Sequence, residues 1–125
     1  MKTFTITGTP VGKPRQTRSD KWKQRPCVMT YRDYADHIRA VVTGGTKLVY
    51  LSNPIEMVFY LPIPKSKSKT ERLAMMGKPC LSTPDIDNLI KSCLDALLEN
   101  DNTIYWLKAV KYWEDHHGPR TELTF

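Results

Sequence analysis

Apolar and polar residues alternate near both ends of this chain and take helical spacing in between. Residues 2–7 put Phe4 and Ile6 on one face and Thr3, Thr5 and Thr7 on the other. That period of two predicts a strand. Gly8 to Met29 holds three prolines and two glycines and reads as a long surface loop. Thr30 can cap a helix, with Asp33 favourable near its N-terminus. Tyr31, Tyr34, Ala35, Ile38, Val41 and Val42 then keep helical spacing, and Gly44-Gly45 end the run.

Pro54 precedes a second strand, with Ile55, Met57, Phe59 and Leu61 on one face. Residues 62–84 form a connection in which Ser68 and Glu71 make a capping box and Gly77 a stop, predicting a short helix. Over 86–98, Ile86, Leu89, Ile90, Cys93, Leu94, Leu97 and Leu98 form an apolar helical stripe, broken at Asn100-Asp101-Asn102. Thr103–Trp113 is rich in β-branched and aromatic residues and predicts a strand. His116-His117-Gly118-Pro119 reads as a turn, and Thr121–Phe125 as a last strand, hairpin-paired with the one before. The expected order is β-α-β-(α)-α-β-β. This is an α+β fold, one domain over 1–125, with two main helices on a small mixed sheet.

Composition bounds the function. At 125 residues with 40 % hydrophobic and 26 % charged residues, the chain suits one soluble domain with a modest core. It has no apolar run of about 18 residues and no secretory h-region at its start, so a cytoplasmic, non-membrane protein is expected. Cys27, Cys80 and Cys93 form no CxxC pair, which argues against a disulfide framework or a zinc site. Cys93 falls on an apolar helix face and is expected in the core.

The net charge of +6 is concentrated. Lys13, Arg15, Arg18, Lys21, Lys23 and Arg25 stand against Asp20 alone, and Lys65, Lys67, Lys69, Arg72 and Lys78 against Glu71. Such stretches attract polyanions. Lys13, Arg15, Arg18, Lys21, Lys23, Arg25, Lys65, Lys67 and Lys69 are the candidates for DNA-backbone contacts. Trp22, among them, either stacks on an exposed base or anchors its loop. Phe59, Trp106 and Tyr112 are expected in the core or an interface, and His116 and His117 in an exposed turn.

Against this basic background, Pro84-Asp85-Ile86-Asp87-Asn88-Leu89-Ile90-Lys91 gathers carboxylates at a helix start, with Asp95 and Asp101 beyond. On a helix, Asp87, Lys91 and Asp95 share one stripe beside the apolar face. Asp85 and Asp87 would point about 200° apart if both were helical. They can converge on one ion only if Asp85 precedes the first turn, and Pro84 favours such an approach. Mg²⁺ and Mn²⁺ take hard oxygen ligands, one or two carboxylates sufficing with water and phosphate oxygens. Such an ion activates water and steadies a leaving oxyanion. Lys91, one turn from Asp87, can hold a phosphate or offset developing charge. A second explanation needs no catalysis: acids favour any helix N-terminus, and Asp87–Lys91 and Lys91–Asp95 have the spacing of ordinary ion pairs.

Pro84 to Leu97 resembles, at every position of the pattern P-D-[IL]-D-N-L-x-K-x-x-x-D-A-L, the signature of the RusA family of Holliday junction resolvases. Weaker likeness covers the first strand, the basic loop, the Tyr31-Arg32-Asp33 helix start, the proline-ended second strand and the closing strands. The resemblance implies a dimeric, Mg²⁺-dependent endonuclease that resolves four-way DNA junctions by paired nicks in recombination and repair. It implies Asp85, Asp87 and a third acid as catalytic and metal-holding residues, and Lys91 as the functional lysine. The third acid follows the helix; Asp101 is assigned here, with Glu99 as the alternative. A helix over 87–98 is about 18 Å long. Either the helix bends, or a two-fold dimer with antiparallel helices sets Asp85 and Asp87 of one subunit beside Asp101 of the other. A nuclease for other branched DNA and a non-catalytic DNA-binding module are the competing functions.

Overall fold

The computed structural model describes residues 1–14 and 26–125. Among these residues, four strands and three α-helices follow one another as β1 (Thr3–Thr7), α1 (Pro26–Val42), β2 (Ile55–Leu61), α2 (Lys69–Met75), α3 (Ile86–Leu97), β3 (Leu107–Trp113) and β4 (Arg120–Thr124). The strands form one mixed sheet in the order β1-β4-β2-β3. Strand β4 pairs antiparallel with both β1 and β2, whereas β2 and β3 run parallel. The α+β class and the two main helices agree with expectation.

Alternation along β2 explains the layering. Ile55, Met57, Phe59 and Leu61 are buried, and the residues between them face outward. Ile6 and Leu123 extend the same inner face across β1 and β4. Onto it α1 contributes Tyr34 and Ile38, and α3 contributes Leu89, Cys93 and Leu97. Each fully buried aliphatic side chain of this kind contributes about 1.5–3 kcal/mol relative to exposure. Burial pushes the Cys93 thiol up to about 12, in keeping with its place in the core.

Four sequence expectations need correction. Helix α1 starts at Pro26, four residues before Thr30. Pro26 is pre-set for a first helical position, and Val28 adds a buried residue one turn before Tyr31. The presumed loop therefore ends earlier. Its described part is also not free: Pro10 is buried, and the Lys13 amide donates to the Asn88 carbonyl at 3.1 Å. Ile86 is 37 % exposed and stands outside the core stripe.

Strand β3 begins at Leu107 rather than Thr103, because Asp101–Thr103 form a 3-10 turn capped by the Asn100 side chain. Finally, β3 and β4 make no hairpin. The Glu114 amide donates to the Leu61 carbonyl at 2.7 Å, and its carboxylate accepts from the Ile63 amide at 2.6 Å. Those bonds hold the chain at the end of β2 and steer it across, so β4 reaches the opposite edge of β2.

Candidate active site at the start of α3

Helix α3 is an unbroken α-helix of 12 residues, about 18 Å long. Asp85 is its N-cap residue, with extended backbone (φ −65°, ψ 144°), and follows a cis Thr83–Pro84 peptide. The two-residue spacing to Asp87 is thus relieved as anticipated: Asp85 precedes the helix and Asp87 lies in its first turn. Both are exposed.

Both acids stand where the helix dipole favours negative charge, but a side-chain cap does not account for Asp85. The Asp85 side chain makes no capping hydrogen bond. Ordinary ion pairing does not explain them either. Among the described residues, no ion pair joins Asp85, Asp87 or Lys91 to any partner. Asp95 does have a partner, in Lys13. That hydrogen bond raises the Lys13 pKa; partial burial opposes it, and the negative fields of Asp95, Tyr31 and Asp101 add to it. The stripe thus divides in two. Asp95 fastens the β1–α1 segment to α3, while Asp87 and Lys91 keep their charges uncommitted.

Three contacts fix the approach to Asp85. Lys111 on β3 donates to the carbonyls of Ser82 and Pro84, the latter at 2.8 Å. The buried Ser92 hydroxyl faces the Val11 carbonyl at 2.6 Å, with the Asn88 carbonyl an alternative acceptor at 3.0 Å. Gly12 passes so close that a β-carbon there would stand 3.1 Å from Pro84 Cβ and 3.3 Å from Asn88 Cβ. Lys111, Ser92 and Gly12 position the motif, and the sequence reading named none of them for that role.

Asp101 stands apart. It is exposed and opens the 3-10 turn beyond the far end of α3. Among the described residues, no group of three His, Cys, Asp or Glu side chains is arranged to hold a metal ion. Asp85 and Asp87 offer the hard, unclaimed oxygens that suit Mg²⁺ or Mn²⁺, two carboxylates being a sufficient protein contribution. Glu99 is exposed at the end of α3, beside Asp95 and Leu98 in a cleft against α1.

The basic candidates are dispersed. Arg15, Arg18, Lys21, Lys23 and Arg25, with Trp22, lie outside the described residues. Lys65, Lys67 and Lys69 are exposed around the start of α2, where Lys67 pairs with Glu71 at 3.8 Å. Phe59 is core, Tyr112 stacks at a tilt on Tyr60, and His116 and His117 are exposed. Trp106 is 60 % exposed and so is not a core residue. No described helix is long and apolar enough to cross a membrane.

"Uncharacterized protein YqaN" of Bacillus subtilis (strain 168) is 28 % identical over 134 residues, covering 96 % of this chain and 92 % of that protein. The family model described as "Endodeoxyribonuclease RusA" matches residues 7–125, nearly the whole chain. With the motif standing at the start of α3 inside that span, the chain belongs to the RusA family of endodeoxyribonucleases.

Proposed function

We propose that this protein is a Mg²⁺-dependent resolvase of four-way DNA junctions, acting as a homodimer through paired symmetric nicks. Family membership supports a nuclease. The observation that carries the site assignment is the uncommitted state of Asp85, Asp87 and Lys91. Carboxylates left unpaired at the surface of a basic protein are available to a divalent ion.

In this reading Asp85 and Asp87 hold Mg²⁺, for which Mn²⁺ substitutes, and Asp101 completes the set. The bound ion supplies Lewis acidity toward water and the scissile phosphate. Lys91, one turn along α3 from Asp87, binds the phosphate and offsets negative charge as it develops. Lys111 keeps the Asp85 approach in place. The cations of 13–25 and 65–69 bind the DNA backbone.

The length of α3 supports a shared site. Asp101 leaves the far end of an unbroken helix. An antiparallel pairing of two α3 helices would set Asp101 of the partner subunit near Asp85 and Asp87. A two-fold dimer also matches a substrate with two equivalent strands.

Labelled four-way junction, flap and linear duplex, each with and without Mg²⁺, test the activity. Symmetric nicks on the junction alone, only with metal, are expected. Equal cutting of all three substrates would sink the resolvase reading. Binding without cleavage under either ion would leave a DNA-binding module. Sharing of the site is tested by mixing an Asp85→Asn subunit with an Asp101→Asn subunit. Heterodimers should regain one intact site and nick one strand; absence of any recovered nicking counts against sharing.

A further inference from the structure

Helices α1 and α3 enclose a second feature that the nuclease motif does not use. A cleft of about 400 Å³ opens between them, toward the Asp101 end of α3. Four cations line it: Lys13, Arg32, Arg39 and Lys47, against two carboxylates, Asp95 and Glu99. The cleft therefore carries a net excess of positive charge. Ala35 and Leu98 give it an apolar wall, and low-dielectric walls concentrate a field that open surface would dissipate.

The four cations differ in their engagements. Arg39 is fixed by Asp36 and by the Ala96 carbonyl at 3.3 Å. Lys13 is held by Asp95. Both are thereby pre-positioned at the cleft wall rather than swinging in solvent. Lys47 and Arg32 are exposed at its rim, and Arg32 too has an interaction of its own. Tyr31 lies in the same wall, and burial raises its pKa. Fixed cations and rim cations around a concavity suit an anion.

The position of the cleft indicates which anion. Leu48 follows Lys47 directly and is bonded into the end of α3: its amide donates to the Leu97 carbonyl at 2.7 Å, and the Glu99 amide to the Leu48 carbonyl at 3.1 Å. Lys47 is thus held beside the end of α3, where Glu99 lies two residues before Asp101. The field of Asp101 reaches Lys13 as well. A DNA strand approaching Asp101 would pass the mouth of the cleft.

We propose that the α1–α3 cleft binds backbone phosphate of the DNA arm that leads into the Asp101 side of the active site, with Lys47 and Arg32 as the contacting cations. This inference rests on the nuclease reading above. It adds a stretch of DNA contact that neither basic run in the sequence includes, apart from Lys13.

The test is metal-free binding of the full chain to a labelled four-way junction, followed by fluorescence anisotropy between about 50 and 200 mM salt, where each phosphate contact steepens the salt dependence by about 0.9. Lys47→Gln and Arg32→Gln should each lower that slope by about one, and the double variant by about two. Lys47→Arg should keep the wild-type slope. Lys108→Gln removes an exposed cation from the opposite face of the sheet and should leave the slope unchanged. A fall no larger in the cleft variants than in Lys108→Gln would overturn the proposal. If the wild type binds and cuts the junction while those slopes stay level, the cleft assignment fails alone. If the wild type binds no DNA, the cleft and the nuclease reading fall together. Circular dichroism of each variant separates lost contact from lost fold.

Discussion

Lysines near the start of α3 hold three different stations. Lys13 is engaged by Asp95, Lys111 by two backbone carbonyls, and Lys91 by no ion-pair partner among the described residues. The difference predicts different variant behaviour. Asp85→Asn or Asp87→Asn should lower cleavage by more than about 100-fold, on the scale of losing a preorganised electrostatic group. Melting temperature should barely move, because neither side chain has an internal partner. Lys111→Met should lower cleavage about tenfold or more by loosening the Asp85 approach, and Lys111→Arg should restore part of it. A purely structural Lys111 would lower stability and activity together, and arginine would restore neither. At Asp115, the Arg120 guanidinium holds the carboxyl well below the usual range, helped by the His117 amide and opposed by partial burial. Its stabilising contribution is therefore complete above the unfolded value of about 3.9 and fades as pH falls below it. Urea titrations of Asp115→Asn between about pH 5 and 2 should show a shallower acid limb than the wild type. The station of Asp85 was legible in the sequence, because spacing and Pro84 are local. The Lys13–Asp95 and Lys111–Pro84 contacts were not, since each joins residues far apart in the chain.

Among the elements, α3 is the one whose placement decides the candidate site. Two features of the β1–α1 segment hold it: the Ser92–Val11 hydrogen bond and the Gly12 passage. Ser92→Ala leaves the Val11 carbonyl without its donor and should cost about 1–3 kcal/mol, read from chemical denaturation. Gly12→Val should act differently. Its side chain must displace Pro84 or Asn88, so cleavage should fall more steeply than stability. Equal losses would mean that the segment merely packs. Periodicity revealed β2, the capping box of α2 and the extent of α3, because those signals reside within each element. It misplaced the start of α1, where Pro26 outranked a plausible Thr30 cap. It also mispaired β4. A turn at 116–119 serves a hairpin and a crossing equally well, and the deciding bonds from Glu114 go to a strand more than fifty residues earlier.

At the level of the whole molecule, charge and exposure are unevenly distributed. Tyr105 and Trp106 are 80 % and 60 % exposed just beyond the Asp101 turn, and Val49 and Tyr50 are exposed beyond Lys47. Large apolar side chains gathered at one end suit contact with a second copy. If the active unit is a dimer, nicking per mole of chain should drop on dilution, and Trp106→Arg should bring that drop to higher concentration. Strict proportionality of rate to concentration, with one monomeric species in sedimentation, would oppose it. The position of β4 between β1 and β2 has a different consequence. Among the described strands, β1 pairs with β4 alone, through pairs such as Thr3 with Thr124. A ribosome making about 5–20 residues per second therefore releases β1 on the order of ten seconds before its partner exists. Throughout that interval the strand waits as a bare edge in a crowded cell. Its shortness and its row of threonines make it a poor template for stray pairing, which suits a segment that must remain single until synthesis brings its neighbour.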